Sequence, residues 1–501
     1  MKLIIFLSLA VLSLIASTLN LTISSNPSRI NPILSNDSAS SEISNWIFNG
    51  LFKYDKDGNI VNDLAQSYNF EDPKTLIVQL KKNILWHDGK KFTSEDVVFT
   101  YQTIKNPKIF TPVSTSFLQV VDVVALDEFT IKIQYSQPYF KALEVWMVGM
   151  LPKHILEKED DLMTSSFNKN PIGTGPYKLE QFIPSQDIIL ARNNQYFQNL
   201  PKIESIRYKF VPDPTTSFYM LKQNQVDVGS LTPLQIDRQL DLEFQQNYSI
   251  FEQQSFAYTY LGFNNKIEKF KDIRIKEAIE YAIDKKQLLD ILFFGHAQVC
   301  NGPFLPGTKA FNRKVQTTQQ NIQKAKEILK ELGYDQNNPF EFEVVTNANN
   351  SIRVNAAQII QHQLKLANIK MKIKIMEWQA FLNTIVYPRN FEAVILGWGL
   401  SLTPDARSIW HSGSDKKGGF NFVGYSNEKV DKLIQEAETT IDKEKFGVIY
   451  QEIFKQIVED KPYIFLYIPN SITTVNKKIK NVTHSLIGVM HDQYNWEKIE
   501  Q

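Results

Sequence analysis

Apolar residues recur with a period of two in several short stretches of the chain. Leu19, Leu21 and Ile23 alternate with polar residues, and MKIKIM at 371–376 repeats the pattern. Such alternation is typical of half-buried β-strands. The continuous apolar run FEAVIL at 391–396 is short enough to be a buried strand. The chain is therefore expected to start in a sheet and to return to sheet structure in its C-terminal half.

Elsewhere in the C-terminal half the apolar spacing is that of helices. In IRIKEAIEYAIDKKQLLDILFFG at 273–295 the apolar residues share one helical face, which predicts a helix that stops at Gly295. QNIQKAKEILKELG repeats the pattern before Gly333. Strand-like and helix-like segments then alternate in the order FEFEVV, AAQIIQHQLKLA, MKIKIM, VDKLIQEAE, EIFKQIVED and PYIFLY. This alternation predicts an α/β domain in which helices cover a sheet.

The N-terminal third contains turn and capping signals. Two Asp-Gly pairs, at 57–58 and 88–89, predict turns between strand-like runs. Thr93, followed three residues later by Asp96 and then by apolar residues, predicts a capping box at the start of a helix. The polar tract SNPSRINPILSNDSASSEIS at 25–44 predicts a loop from its turn-forming residues. That loop is either the lip of a pocket or an ordinary solvated loop.

Composition and charge narrow the class of protein. The 501 residues are 43% hydrophobic and 22% charged, which suits a globular protein of roughly two to four domains. The 55 Lys and Arg residues balance 54 Asp and Glu residues. A partner that is a nucleic acid or another polyanion requires a basic stripe, so no nucleic-acid partner is expected.

The first 17 residues have the layout of a secretory signal peptide. Lys2 precedes an apolar run at 3–15, and the small residues Ala16 and Ser17 follow. The run is too short for a comfortable membrane span. Because Cys300 is the only cysteine, neither a lipid anchor on an N-terminal cysteine nor an intrachain disulfide is expected. The mature protein is therefore expected in a periplasm, outside the cytoplasm and not embedded in the membrane.

The segment from Ile395 to Tyr425 combines a strand end with residues suited to a pocket. Gly397 and Gly399 flank Trp398, so the backbone there could approach another chain closely. An aromatic side chain and free backbone amides at a strand end suit an extended guest. The alternative is that Trp398 is a core aromatic residue and the glycines mark a bulge.

Motifs of known enzyme classes are absent from the sequence. It contains no G-x-S-x-G, no H-E-x-x-H, no C-x-x-C and no phosphate-binding loop. His484 and His491 are the closest pair of histidines, but Gly488 interrupts any helix that could align them as metal ligands. We therefore predict no catalytic residue, no cofactor and no metal site, and we interpret both histidines as residues of a surface tail.

Several short blocks occur in the order in which one protein family has them. The chain resembles the bacterial extracellular solute-binding proteins of family 5, the oligopeptide, dipeptide and nickel-chelate receptors of ABC importers. The blocks are LAQS at 64–67, WHDG at 86–89, FTSEDVVF at 92–99, GTGPY at 173–177, YLGFN at 260–264, DIR at 272–274, AID at 282–284, Trp378 with Phe381-Leu382, Gly397-Trp398 and YSN at 425–427. Within WHDG, His87 and Asp88 are expected to have structural roles.

The resemblance implies an α/β periplasmic-binding-protein-like fold of two discontinuous lobes joined by two crossing segments, with a small inserted domain. The crossings are expected near 256–265 and 466–475. The implied division is a signal peptide at 1–17, lobe I at 18–44, 166–258 and 474–501, an inserted domain at 45–165, and lobe II at 259–473. The lobes are expected to close on the ligand.

The resemblance also implies a binding mode in which an extended peptide adds as a strand to exposed sheet edges. The implied edges are Asn36, Asp37 and Ser38 on one lobe and Gly397 to Gly399 on the other, with Trp378 and Trp398 as walls of side-chain pockets.

The chain departs from peptide receptors of this family at Ser401. Those receptors have an Asp here that binds the ligand's terminal ammonium group, and a neutral hydroxyl cannot replace a charge-assisted hydrogen bond. Asp405 or Asp37 could take over that role, or the pocket could hold longer peptides whose ends are not bound. For Asp405, a turn-capping role after Pro404 is the alternative.

The expected function is therefore that of a monomeric periplasmic receptor. It would capture oligopeptides or dipeptides and deliver them to an inner-membrane ABC permease. A receptor of the same fold for a nickel chelate or another small solute is the second hypothesis. A secreted hydrolase is the third, and the missing nucleophile motifs count against it.

Overall fold

The computed structural model describes residues 17–35, 37–159, 161–416 and 419–499. Except for Ser17, the predicted signal peptide lies outside this part of the chain. Among the described residues, no helix combines the length and the apolar character needed to cross a membrane.

The strands form three larger sheets and two short pairs within the described residues. The N-terminal sheet contains, in spatial order, Thr18–Ile23, Ser205–Phe210, Asp187–Arg192 and Tyr177–Ile183. The small-domain sheet contains Ala65–Asp72, Thr75–Leu80, Thr130–Tyr135 and Val120–Asp127. The central sheet contains Val228–Ser230, Tyr248–Gln254, Ala257–Phe263, Ala297–Val299, Phe340–Asn347, Ile369–Met376, Ala393–Gly399 and Tyr463–Asn476. The short pairs are Phe52–Tyr54 with Ile60–Asn62, and Ile479–Lys480 with Glu497–Lys498.

Helices cover these sheets. The α-helices of the described chain are Ser38–Ile47, Ser94–Lys105, Lys153–Leu156, Pro214–Lys222, Pro233–Arg238, Leu242–Asn247, Ile273–Ala282, Lys285–Phe293, Ile322–Glu331, Ser351–Leu366, Trp378–Phe381, Arg407–Trp410, Glu428–Thr439 and Lys443–Asp460. Shorter helical turns are Ser114–Phe117, Glu144–Met147, Ser166–Asn168, Glu268–Phe270, Leu382–Val386, Ser412–Ser414 and Gln493–Asn495.

The central sheet is buried on both faces, which explains the continuous apolar run at 391–396. Ala393 and Ile395 pack into the core on one face, whereas Val394 and Leu396 pack into the core on the other. Successive side chains of a strand point to opposite faces, so a strand between two helix layers needs apolar residues at every position. The predicted α/β arrangement of this half is confirmed.

Two neighbouring strands connect the two apolar cores, one on each face of the central sheet, with the rest of the molecule. The first part of Tyr463–Asn476 pairs with Ala257–Phe263, and its last part pairs with Tyr248–Gln254. Between the two pairings, the Ser255 amide donates to the Pro469 carbonyl oxygen at 3.1 Å. The long strand therefore belongs to the apolar core at one end and to the N-terminal side of the molecule at the other.

Two predictions about local structure are wrong. The tract 25–44 is not all loop, because Asp37 caps a helix at Ser38–Ile47 and its carboxylate accepts from the Ser40 amide. The segment 273–295 is not one helix, because Asp284 caps a second helix that begins at Lys285. In both places an Asp offers its side chain to unpaired helical amides, and this local signal decides where the helix begins.

The capping box is confirmed: the Asp96 carboxylate accepts from the Thr93 amide at 2.9 Å. The first predicted Asp-Gly turn joins Phe52–Tyr54 to Ile60–Asn62.

His87 bridges the GTGPY block, since its ring nitrogens contact the Gly173 amide at 3.2 Å and the Gly175 carbonyl oxygen at 3.0 Å. Burial lowers the pKa of His87 to about 4, which keeps the ring neutral for both contacts.

Candidate functional site

The strand Ala393–Gly399 is paired on both sides only over its first residues. Its whole length is antiparallel to Ala257–Phe263, but its parallel partner Phe340–Asn347 forms strand pairs with it only at Val344 and Val345. In the described chain, no further strand pairs with the outer edge of Leu396 to Gly399. Unpaired backbone groups of this kind are the template on which an extended segment can add as a strand.

Trp398 is half-buried and lies at this open end. Its ring stacks between Tyr260 and Phe422, with centroid distances of 6.4 and 5.5 Å, and its Nε1 donates to the Tyr463 hydroxyl at 3.2 Å. The packing fixes the orientation of the indole, while part of the ring stays accessible. The two hypotheses for Trp398, core residue and pocket wall, therefore each describe one part of its environment.

A first pocket of about 200 Å³ lies at the end of the strand. Its walls include Gly397, Trp398, Gly399 and Arg353, the last from the first turn of the helix Ser351–Leu366. An added Cβ atom at Gly397 would lie 2.6 Å from Arg353 Nη2 and 2.8 Å from the Tyr258 carbonyl oxygen. Glycine is therefore required at 397 for the guanidinium group to reach this position.

Arg353 has no carboxylate partner among the described residues. Its Nη1 donates to Asn347 Oδ1 at 3.1 Å, and its buried Nε lacks an acceptor. The hydroxyl group of Tyr258 in the same walls is also buried without a hydrogen-bond partner in the described chain. Burial lowers the pKa of Arg353, as expected for a cation without a compensating charge. This pocket is suited to a carboxylate or another anionic group.

A second pocket of about 270 Å³ shares Gly399 with the first and also contains Ser401 and Asp405. Ser401 is exposed and its hydroxyl group donates to the Thr403 carbonyl oxygen at 2.6 Å. Asp405 is already paired, because Lys141 Nζ lies 2.9 Å from its Oδ2 and the Arg407 amide donates to its Oδ1. An ammonium group that approached Asp405 would therefore meet the Lys141 charge as well.

The third space is a cavity of about 900 Å³, called the large cavity below, which shares Thr308 and Pro404 with the second pocket. Residues between positions 54 and 144, at 253–256 and in the C-terminal half line it together. Its aromatic residues are Tyr54, Tyr68, Phe70, Tyr139, Phe140, Phe256 and Phe446. Phe140 and Phe446 stack on each other in its wall, with ring centroids 5.3 Å apart. The first pocket therefore adjoins the second, and the second adjoins the large cavity.

The other predicted edge consists of Asn36, Asp37 and Ser38. Asn36 lies outside the described residues. Asp37 acts as the helix cap, and although burial raises its pKa, hydrogen bonds from Ser28 and Ser40 hold it below the usual value. Ser38 is exposed at the first position of the helix. Neither Asp37 nor Ser38 lines the three spaces described above.

Trp378 also lies apart from these spaces. It packs against Phe381, with ring centroids 6.1 Å apart, on the short helix Trp378–Phe381. His484 is exposed at the wall of the large cavity, and His491 Nε2 lies 3.1 Å from Asp492 Oδ2. The described residues include no group of three His, Cys, Asp or Glu side chains that could hold a metal ion.

Sequence reasoning did not identify Arg353 or Lys141. Arg353 comes three residues after the Asn-rich segment NANN at 347–350, which ends a buried strand. Charged side chains that follow such a strand are brought to the same end of the sheet as Gly397, and this placement could have indicated Arg353. No comparable signal indicates Lys141, because it lies more than 250 positions before its partner Asp405.

Comparisons with known proteins give one consistent result. A family model described as "Bacterial extracellular solute-binding proteins, family 5 Middle" matches residues 59–420. The oligopeptide-binding protein AppA of Bacillus subtilis is 31% identical over 94% of this chain and 89% of that protein. The structure of AppA in complex with a nonapeptide has 28% sequence identity and a TM-score of 0.83, covering 96% of this chain and 99% of that one.

A second similar structure has a different ligand. NikZ from Campylobacter jejuni, solved in complex with Ni(L-His), is 29% identical and has a TM-score of 0.83. The match covers 96% of this chain and 99% of that chain. Proteins with this fold therefore bind ligands of different size and chemistry.

Proposed function

The chain belongs to the bacterial extracellular solute-binding proteins of family 5, and on this premise we propose that it is a receptor of an ABC importer that binds oligopeptides between its lobes. The predicted family and the two-lobed α/β fold class are confirmed by the family match and the similar structures. We infer peptide binding from two lines of support: the relative AppA and the geometry of the strand end.

The observation that carries the proposal is the unpaired Arg353 beside the open strand edge. Arg353 is half-buried, and a partly desolvated charge without an opposite charge is unfavourable, so a ligand that supplies a carboxylate offsets this cost on binding. The C-terminal carboxylate of a peptide has the planar geometry that a guanidinium group binds through two hydrogen bonds. The backbone of the same peptide could pair with the edge of Leu396 to Gly399.

The large cavity supports ligands longer than a dipeptide. A peptide with its carboxylate at Arg353 would pass Gly399 and reach the second pocket and then the large cavity. Asp37 and Asp405 both have partners of their own, so we propose that neither replaces the ammonium anchor of the family at Ser401. Asn36, Ser38 and Trp378 remain proposed contacts that depend on the position of the ligand.

The cellular role extends the same proposal. We expect secretion through the segment 1–17, retention in a periplasm, a monomer in solution, and transient docking to a membrane permease. The predicted division into lobe I, the inserted domain and lobe II, which would close on the ligand, also stays a prediction. Nothing in this role requires a bond to be made or broken, so we propose a binding protein and not a hydrolase.

The experiment that tests the proposal identifies the natural ligand. The mature protein is purified without refolding, denatured, and the released small molecules are analysed by mass spectrometry. We expect peptides of several residues with free C-terminal carboxylates. Calorimetric titration then compares one of these peptides with its C-terminal amide, and we expect the amide to bind at least about tenfold more weakly. Release of no peptide, together with equal binding of acid and amide, would refute the proposal.

A nickel chelate is the second candidate ligand, favoured by the similarity to NikZ and by the fact that an amino acid chelate also carries carboxylates for Arg353. The same preparation distinguishes the two. Elemental analysis would then find nickel in the released fraction, and Ni²⁺ with L-histidine would raise the unfolding temperature.

A further inference from the structure

The large cavity has one charged residue in its interior and four at its rim. Glu144, on the helical turn Glu144–Met147, is half-buried. The other acidic and basic lining residues are exposed, and they are Asp72, Lys309, Lys443 and His484. Water screens charges at a rim, but it screens a half-buried carboxylate much less. Among the carboxylates that line the large cavity, Glu144 is therefore the one that solvent screens least.

Aromatic side chains surround Glu144. Tyr54 and Tyr139 line the same part of the cavity. Burial raises the pKa of both phenols. The negative charge of Glu144 raises the pKa of Tyr54 further, and Asp405 followed by Glu144 raises that of Tyr139. A carboxylate between aromatic rings forms a site that attracts cations, because the faces of the rings are also negative.

No cation of the protein neutralises Glu144 within the described residues. The nearest candidate along the chain is Lys141, three positions earlier, but its Nζ is paired with Asp405 at 2.9 Å. Lys309 is paired with Glu444 outside the cavity interior. Glu144 is therefore in a position comparable to that of Arg353 at the other end of the three spaces, with the opposite charge.

We propose that Glu144 is a specificity residue that binds a positively charged group of the ligand, an N-terminal ammonium group or a Lys or Arg side chain. This inference rests on the proposed peptide-binding function. It adds that the end of the site farthest from Arg353 selects a positively charged group. Arg353 would hold the carboxylate end of the peptide, and Glu144 would hold a cationic group farther along it. The ligand class is thus peptides that carry a positive charge several residues before the C-terminus.

The test uses the variant Glu144→Gln, which keeps the size of the side chain and removes its charge. The probes are synthetic peptides of three to nine residues with free C-termini, prepared in matched forms. One pair has a free or an acetylated N-terminus and no Lys or Arg. The other pair is N-acetylated and carries Lys or norleucine at one position. Affinities are measured by calorimetry at low ionic strength.

For the unaltered protein we expect the cationic member of at least one pair to bind about tenfold to a hundredfold more tightly than its neutral match. In Glu144→Gln this preference should fall below about threefold. The pair that shows the effect identifies the group, N-terminal ammonium or side chain. Glu428→Gln, which removes an exposed carboxylate that does not line the large cavity, is the matched control and should keep the full preference.

Two results would overturn the inference. In the first, neutral peptides bind as tightly as cationic ones to the unaltered protein. In the second, Glu144→Gln retains the preference while its unfolding temperature without ligand is unchanged. Absence of binding by every peptide form is a different result, because it would refute the proposed function together with this inference.

Discussion

The C-terminal half of the molecule contains two buried cationic centres that are built in opposite ways. In one, Glu280 lies between Lys285 and Lys461, at 3.0 and 2.6 Å. In the other, Arg353 is held by the amide oxygen of Asn347 and has no acid within reach in the described chain. Glu280 lies on the helix Ile273–Ala282 and Arg353 lies on the helix Ser351–Leu366. Both helices pack on the central sheet.

The difference separates a charge that serves the fold from a charge that serves a ligand. Burial would raise the pKa of Glu280, but Lys285 and Lys461 lower it to about 2, so the cluster is stabilised from within. Arg353 receives no such compensation and lies in a pocket with an open strand edge. An unpaired buried charge weakens the free protein unless an outside partner supplies the missing charge.

Loss of Glu280 should have the largest effect on stability. Glu280→Gln leaves two buried ammonium groups without their carboxylate, and we expect a loss of about 3–5 kcal/mol in the free energy of unfolding. Urea denaturation of the ligand-free protein measures it. Glu428→Gln removes an exposed partner of Lys432 and should cost less than about 0.5 kcal/mol.

The pH dependence of the same variant provides a second check. Because the pKa of Glu280 is lower in the folded protein than its ordinary value of 4.5, its contribution is complete above pH 4.5 and is lost as the pH falls towards 2. The difference in stability between the unaltered protein and Glu280→Gln should therefore shrink over this range. A difference that stays constant from pH 5 to pH 3 would contradict the assignment.

Removal of Arg353 should affect binding and stability in opposite directions. We expect Arg353→Met to weaken binding of a peptide acid by about 2–3 kcal/mol, while the ligand-free protein is as stable as before or slightly more stable. Calorimetry and urea denaturation give the two quantities. Arg353→Lys keeps the charge but not the two-pronged geometry, and it should restore only part of the affinity. A loss of stability as large as that of Glu280→Gln would show that Arg353 is structural.

Local sequence signals predicted most of the central sheet and its helices. The run FEAVIL and the alternating MKIKIM correspond to the strands Ala393–Gly399 and Ile369–Met376. The errors occurred where an Asp side chain starts a helix inside a polar or an apolar stretch, as at Asp37 and Asp284. Periodicity describes the faces of helices, but capping groups determine their ends.

The site was predictable only in part. Gly397, Trp398 and Gly399 were predicted because glycines beside an aromatic residue stand out in the sequence. The structure places all three in the walls of the first pocket, and their contact with a ligand stays a prediction. The pairing of Lys141 with Asp405 depends on how distant parts of the chain pack, which no local pattern reports. The partner of an acidic residue decides whether it is available to a ligand, so the role of Asp405 could not be settled from its position in the sequence.

Substitution of Gly397 and Gly399 by alanine should affect stability and peptide binding to different extents. At Gly397 a methyl group would contact Arg353 and the Tyr258 backbone, so Gly397→Ala should cost about 1–3 kcal/mol of stability and weaken binding. At Gly399 no described atom lies within 4 Å of an added Cβ atom. Gly399→Ala should therefore change stability by less than about 0.5 kcal/mol. Its methyl group would still enter the space between the first and second pockets, so we expect weaker peptide binding.

The smallest effect is expected at the contact between the small domain and the C-terminal half. Lys141 is largely buried, but Asp405 is about 39% exposed, so solvent screens their attraction. Lys141→Met should change the free energy of unfolding by less than about 1 kcal/mol, because the stacking of Phe140 on Phe446 remains. On the proposal that the lobes close on the ligand, loss of this contact disfavours the closed form, and we expect peptide affinity to fall about twofold to fivefold. An increase in affinity for peptides with a free N-terminus, absent for their acetylated forms, would instead show that Asp405 binds the ammonium group once Lys141 no longer competes for it.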